Sequence, residues 1–319
     1  MYKTVDSFME TVISKNPGQD EFHQAVEEVV ESIWDYLQDN PHYLHTKILD
    51  RLVEPERVIM FRVPWRDDQG SYHGGGSSYD IFGQRYGADG APAGGEFLVN
   101  TYKSGTQQTP SVSGLKGGGF VVTWEDHSGS SHNGGQNSDI YGQRYDAAGA
   151  KVGDEFRVNA VQFSGSQYCP SVVSLVGGGF VVAWRDDSGL DGSGNGVFAQ
   201  LYDASGAQVG GEFRVNETTS NSQTEPAIAA LDNGGFAVAW RDGNSPDDVF
   251  AQQYDAVGNR VDGEVRVNTE TASTQASPSI AGLPGGNFVV TWQSFTSGSA
   301  GDGSNYGISH QLFGDAGDF

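Results

Sequence analysis

The residues best suited to chemistry in this chain are acids that recur after tryptophans. Asp67 and Asp68 follow Trp65, and Glu125 and Asp126 follow Trp124. Asp186, Asp187 and Asp191 follow Trp184, and Asp242, Asp247 and Asp248 follow Trp240. Each group lies in a stretch dense in Asp, Asn, Ser and Gly. Calcium takes roughly six to eight oxygen ligands, which carboxylates and carbonyls of such loops can supply. Asp186, Asp187, Asp191, Asp126, Asp67, Asp68, Asp247 and Asp248 are therefore calcium candidates, with DDSGLDGSGN (186–195) the richest stretch. No D-x-D-x-D-G spacing is present and the loops differ in length, which equally fits solvated turn aspartates. Paired carboxylates also hydrolyse glycosides, but they must then be held at a fixed separation in a cleft. Acids in variable Gly-rich loops give no sign of that separation.

Other reactive types carry less. The seven histidines are scattered, and His127 with His132 makes a two-ligand zinc site at best. No Ser-His-Asp arrangement recurs. The single cysteine, Cys169, precedes Pro170 at a place where parallel segments have Thr109, Glu225 or Ser277, so it reads as an ordinary repeat position. No other cofactor is expected.

The elements that must position these residues repeat. VIMFRVPW (58–65), GGFVVTW (118–124), GGFVVAW (178–184), GGFAVAW (234–240) and GNFVVTW (286–292) align on Trp65, Trp124, Trp184, Trp240 and Trp292, spaced 59, 60, 56 and 52 residues apart. After each loop comes DIFGQRY (80–86), DIYGQRY (139–145), GVFAQLY (196–202), DVFAQQY (248–254) or the divergent GISHQLF (307–313). Turns such as DAAG (146–149) lead to EFLVN (96–100), EFRVN (155–159), EFRVN (212–216) or EVRVN (264–268), and then to PSVSGL, PSVVSL, PAIAAL or PSIAGL. Short, β-branched and aromatic segments read as strands, and D-A-x-G and Gly-Gly as tight reversals. Each unit is then about four antiparallel strands that must stack on its neighbours to bury both faces. The expected fold is mainly β: tandem four-stranded antiparallel repeats, β-propeller-like, with an open solenoid or sandwich array as alternatives. Repeat boundaries are expected near 117, 177, 233 and 285. Cut with EFxVN first, four whole units run from Glu96 to Phe313, after an extra hairpin at 58–86. The repeating tryptophans belong to the core between units.

Composition agrees: of 319 residues 46 are Gly and only 36% are hydrophobic. The net charge of -23 repels phosphate backbones and anionic lipid, which sets nucleic acid aside as a partner. No apolar run approaches the ~18 residues that would span a membrane.

Residues 1–57 differ, with Gly18 the only glycine. VDSFMETVISKN (5–16) is amphipathic. Asp20 can cap a helix over 20–40 whose apolar face carries Phe22, Val26, Val29, Val30, Ile33 and Leu37, and HTKILDRLVE (45–54) reads as a third helix. FHQAVEEVVESIWDYLQDNP followed by ILDRLVEPERVIMFRVPWRDDQG (48–70) resembles the N-terminus of bacterial NADP-type glutamate dehydrogenase. That resemblance implies a helical subunit-association segment, so self-association through these helices is open. It stops near Gly70. LKGGG (115–119) echoes that family's Lys-Gly motif, but LVGGG and LDNGG replace it in the other repeats, so Lys116 reads as a turn residue. GSGNG (192–196) lacks the βαβ setting of a dinucleotide fingerprint. The region 58–319 is similar to tandem repeats of large bacterial secreted, adhesin-like proteins, which implies binding or scaffolding outside the cell. The polar N-terminus, without a secretory leader pattern, points to the cytoplasm instead.

From the sequence, then, the expectation is a non-enzymatic β-repeat module with a protein or glycan ligand, fused to a truncated dehydrogenase-like segment. One alternative is a protein classed as glutamate dehydrogenase but lacking the catalytic and NADP-binding domains. The other is a lectin-like or glycan-active propeller.

Overall fold

Strands such as FVVTW are apolar without a break, and a strand buried on both faces must read that way. The computed structural model shows how this happens. It describes residues 4–15, 23, 24, 26, 27, 30, 31, 34, 38, 57, 58, 79–87, 90–129, 137–159, 165–243, 245–295 and 306–314. Trp65, Asp67, Asp68, His132, Asp20 and the 45–54 segment lie outside the described residues, as does most of the expected 58–86 hairpin.

The chain divides into two compact units, residues 1–57 with 85–94, and residues 58–84 with 95–319. In the first, helix α1 (Val5–Lys15) buries Phe8, Met9 and Val12. Its first turn is closed by Ser7 and Thr4: the Ser7 amide donates to Thr4 Oγ1 at 3.2 Å and the Thr4 amide to Ser7 Oγ at 3.3 Å.

The short strands are β1 (Arg57–Val58), β2 (Phe82–Gly83), β3 (Arg85–Tyr86) and β4 (Phe97–Leu98), of which β2 pairs with β4. Three four-stranded antiparallel sheets follow. The first holds β5 (Gln107–Gly114), β6 (Phe120–Asp126), β7 (Asp139–Tyr145) and β8 (Lys151–Arg157). The second holds β9 (Gln167–Ser174), β10 (Phe180–Asp186), β11 (Gly196–Tyr202) and β12 (Gln208–Arg214). The third holds β13 (Gln223–Ala230), β14 (Phe236–Asp242), β15 (Asp248–Tyr254) and β16 (Arg260–Arg266). A fourth has three strands, β17 (Gln275–Gly282), β18 (Phe288–Phe295) and β19 (Tyr306–Phe313). No described strand pairs across from one of these sheets to another.

This order corrects the expected repeat boundaries. Positions near 117, 177, 233 and 285 fall in the reversal between the first and second strands of a sheet, so they lie inside units. The EFxVN strand closes a unit instead of opening it, because D-A-x-G folds it back on the preceding QRY strand. Asp146 accepts from the Gly149 amide at 3.0 Å, with Gly149 at φ 82°, and Tyr141 then faces Arg157. The crossings between sheets come after Asn159, Asn216 and Asn268.

Alternate residues of each second strand serve opposite interfaces. Phe180, Val182 and Trp184 pack on the preceding sheet with Val121, Ile140 and Val158, while Val181 and Ala183 pack on the following sheet with Phe236, Val238 and Trp240. Trp124, Trp184, Trp240 and Trp292 are all buried. Ring pairs lock the register: Phe120 stacks on Tyr145 at 4.5 Å, Phe180 on Tyr202 at 4.5 Å, Phe236 on Tyr254 at 4.8 Å and Phe288 on Phe313 at 4.7 Å. The last pair explains why GISHQLF still works as a third strand. Gly119 is required by close approach, since a Cβ there would lie 2.3 Å from the Tyr145 carbonyl oxygen.

The Asn ending each EFxVN segment latches one sheet to the next. Asn216 Oδ1 accepts from the Val197 amide at 2.9 Å, and its Nδ2 donates to Gln223 Oε1 at 3.0 Å and the Thr218 carbonyl at 2.9 Å. Asn159 repeats the pattern on Ile140 and Gln167, whereas Asn268 holds Val249 but its Nδ2 donates to Asp248 and the Glu270 carbonyl, and Gln275 Oε1 accepts from Trp292 Nε1 instead. Asn216→Ala strands the Val197 amide and the Gln223 carbonyl oxygen in a dry interior. We expect it to lower stability by about 2–3 kcal/mol, read as a lower urea midpoint, whereas Ser220→Ala on the exposed crossing should change it by well under half of that.

Candidate functional site

The first strands β5, β9, β13 and β17 lie side by side along one edge of the stacked sheets. Ser111 Oγ accepts from the Val172 amide at 3.1 Å and Ser113 Oγ from the Ser174 amide at 2.9 Å, which joins two of them. Each first strand carries the same distortion. The residue before its proline has a left-handed backbone, with φ of 54° at Thr109, 53° at Cys169, 55° at Glu225 and 51° at Ser277. The ladder register shifts at each of these points. Proline lacks an N–H and the bulge re-aims the residue before it. A non-glycine residue in this region costs on the order of 1 kcal/mol, so the surroundings must hold it there.

The freed amides bind carboxylates. The Cys169 amide donates to Glu125 Oε1 at 2.6 Å, and the Ser277 amide donates to Glu225 Oε2 at 2.7 Å. Beside the bulges stand the residues that directly follow each tryptophan: Glu125, Arg185, Arg241 and Gln293. They are in register with Gln108, Tyr168, Thr224 and Ala276.

Glu125 has only 4% of its side chain exposed. Its Oε2 accepts from His127 Nε2 at 3.0 Å and Gln108 Nε2 at 3.1 Å. Burial pushes this carboxyl up, but the hydrogen bonds from His127, the Cys169 amide and Gln108 outweigh it and hold the group below the ordinary glutamate range. Glu125 is therefore an anion at neutral pH. An ionised carboxylate only accepts, so His127 carries a proton on Nε2 and offers Nδ1 to Ser138 Oγ, 2.7 Å away. Ser138 is buried and anchors the ring. This Ser–His–carboxylate chain occurs in the first sheet alone, so a search for recurring triads passes over it.

In the third sheet, Arg241 joins two acids. Its Nη1 donates to Glu225 Oε1 at 3.0 Å and its Nε to Asp247 Oδ2 at 2.9 Å. Between these two clusters, the Arg185 guanidinium lies 4.4 Å above the Tyr168 ring. The Cys169 thiol is pushed up by burial and by the Glu125 carboxylate, so it stays a neutral thiol.

The structure distributes the calcium candidates among other tasks. Asp126 Oδ1 accepts from the Ser128 amide at 2.7 Å. Asp186 accepts from Gln167 Nε2 at 2.8 Å and the Ser188 amide at 2.8 Å, and Asp187 accepts from the Ser166 amide. Asp191 Oδ1 accepts from the Ser193 amide at 3.0 Å, Asp247 is held by Arg241, and Asp248 Oδ1 accepts from Asn268 Nδ2 at 2.6 Å. Among the described residues no three His, Cys, Asp or Glu side chains come together as a metal site. Lys116 is a turn residue whose Nζ donates to the Val176 carbonyl at 3.3 Å. Sequence reasoning grouped Glu125 with the loop acids and missed Glu225 and Arg241. The available signal was the x-Pro position itself, where Thr, Cys, Glu and Ser alternate in an otherwise regular repeat.

No protein-family model matches the chain. Its N-terminal part is 52% identical over 66 residues to the NADP-specific glutamate dehydrogenase of Salmonella typhimurium, covering 21% of this chain and 15% of that enzyme. An NAD-specific glutamate dehydrogenase of Clostridium symbiosum is 38% identical over 128 residues, 40% of this chain and 26% of the enzyme. The chain thus spans only a small part of the length of these relatives. Among solved structures, a Hadza microbial sialidase superposes with a TM-score of 0.50 at 14% identity, over 75% of this chain and 51% of the sialidase. The GH93 α-L-arabinofuranosidase of Fusarium graminearum gives 0.46 at 17% identity, over 66% of this chain and 63% of the enzyme. The β region therefore has a propeller-type fold of the kind found in glycoside hydrolases. The expectation of a non-enzyme is corrected by this finding, because the solved structure this fold resembles, a sialidase, is an enzyme. Periodic burial reports how sheets are held together and is silent on what their edge residues do. Among the described residues no helix is long and apolar enough to cross a membrane.

Because the Glu125 carboxyl sits below its unfolded value, its stabilising contribution is complete above the ordinary glutamate range and is lost as pH falls through the lower, folded value. Urea midpoints taken from pH 6 down to about pH 3 should fall more steeply for the wild-type chain than for Glu125→Gln, which has no proton to take up there.

Proposed function

We propose that the β-repeat region is a carbohydrate-active enzyme of glycoside-hydrolase type that works along the first-strand edge. The observation that carries this reading is the pair Glu125 and Glu225. They belong to different sheets, and each is aimed by the amide of a left-handed residue on the next sheet, at 2.6 and 2.7 Å. Glycoside hydrolysis needs two carboxyl groups fixed across the scissile bond and an oxocarbenium-like transition state to stabilise. Glu125, held ionised, suits the anionic role: attack on the anomeric carbon or stabilisation of the positive charge that develops there. Glu225 supplies the second carboxyl, with Arg241 at 3.0 Å setting its orientation. Orientation by backbone amides costs no reorganisation when charge develops, which is the general advantage of preorganised dipoles. The enzymatic fold of the neighbours is consistent with this reading, and the carboxylates provide its chemistry.

The test is release of reducing ends from a panel of arabino-, xylo- and sialyl-oligosaccharides by the full chain. Glu125→Gln and Glu225→Gln should each lower turnover about a thousandfold while leaving the circular dichroism spectrum unchanged. Turnover that survives both substitutions, or no turnover across the panel, overturns the assignment.

A further inference from the structure

Arg185 stands apart from the other arginines of the sheets. Arg144 donates to the Ala204 carbonyl at 3.1 Å, Arg214 to the Asn216 carbonyl at 2.9 Å and Arg260 to Glu217 at 3.2 Å. Arg241 is divided between Glu225 and Asp247. The guanidinium of Arg185 has no hydrogen bond and no ion pair among the described residues, and its Nε is buried without an acceptor. Its guanidinium lies over the Tyr168 ring. Acids are close at hand, since Cys169 lies within electrostatic reach of Arg185, Glu125 and Glu225 together. Both carboxylates are already filled: Glu125 by His127, Gln108 and the Cys169 amide, and Glu225 by Arg241 and the Ser277 amide.

We infer that Arg185 is a specificity-determining residue that recognises the carboxylate of a sugar acid, so that the glycan taken by the first-strand edge is an anionic one. This deepens the proposed function and rests on it for the word glycan. Arginine presents a rigid planar fork that matches a carboxylate with two parallel hydrogen bonds. The Tyr168 ring holds that fork by a cation–π contact at 4.4 Å. Arg185, Glu125 and Glu225 all lie within electrostatic reach of Cys169, which puts the proposed recognition group in the neighbourhood of the two carboxylates of the proposed reaction.

The experiment is calorimetric titration of the full chain with trigalacturonate, its neutral methyl ester and sodium sulfate, at physiological ionic strength. Trigalacturonate should bind the wild-type chain at least about tenfold more tightly than the ester. Arg185→Gln should remove that preference, and Arg185→Lys, which keeps the charge without the fork, should restore only part of it. Thermal melts establish that both variants are folded, and the lysine variant keeps the test alive if the glutamine one is not. Equal binding of acid and ester, a preference that survives Arg185→Gln, no binding of trigalacturonate, or sulfate binding as tightly as trigalacturonate would overturn the inference. Turnover is read separately. Arg185-dependent binding without hydrolysis of any glycan leaves the recognition site standing and removes the hydrolase reading. Hydrolysis without Arg185-dependent binding does the reverse.

Discussion

Trp124, Trp184, Trp240 and Trp292 each fill the gap between their own sheet and the one before it, and the other features of the β region depend on that packing. In the three four-stranded sheets the second strand is buried on both faces: Phe, the second Val and Trp point to one neighbour, while the first Val or Ala and the small residue before Trp point to the other. A single sheet would leave half of this surface in water. Stacking buries it, at roughly 1.5–3 kcal/mol for each large side chain taken out of water. The aromatic pairs Phe120–Tyr145, Phe180–Tyr202 and Phe236–Tyr254 then set the register within each sheet.

Stacking alone would let the sheets slide. The buried latch of Asn and Gln opposes it, because Asn159 and Asn216 donate to Gln167 and Gln223 on the first strand of the next sheet, bonds that exist in one alignment only. With alignment settled, the first strands arrive side by side with their bulges level. That is why Glu125 meets the amide of Cys169 and Glu225 the amide of Ser277. The polar edge is thus a product of the hydrophobic interior: the core sets the spacing and the latch sets the height. The loops, which carry most of the acids, are left free to differ.

The same scaffold accounts for the unequal fate of the acids. Asp126, Asp186 and Asp242 are the last residues of their second strands and are drawn into the latch or into local turns, where they accept from Ser128, Gln167 and Gln223. Glu125 sits one residue earlier, on the strand itself, and projects to the edge. One position along a pleated strand reverses the direction of a side chain. It therefore separates a structural acid from a chemical one.

The amino-acid sequence by itself determined the repeat, its strands, the buried tryptophans and the dehydrogenase-like N-terminal segment. Those properties are written in local periodicity and in turn residues such as D-A-x-G, and a turn needs only its own few residues to form. It left open which strand opens a unit, because EFRVN and its flanks read alike whether paired forward or back. Tertiary structure decided that, and it decided the site. Glu125 and Cys169 are 44 residues apart in the chain, and Glu225 and Ser277 are 52 apart. No local pattern couples positions so distant. They meet because two sheets hide their apolar faces against each other, and that contact carries a carboxylate on one to an unpaired amide on the next.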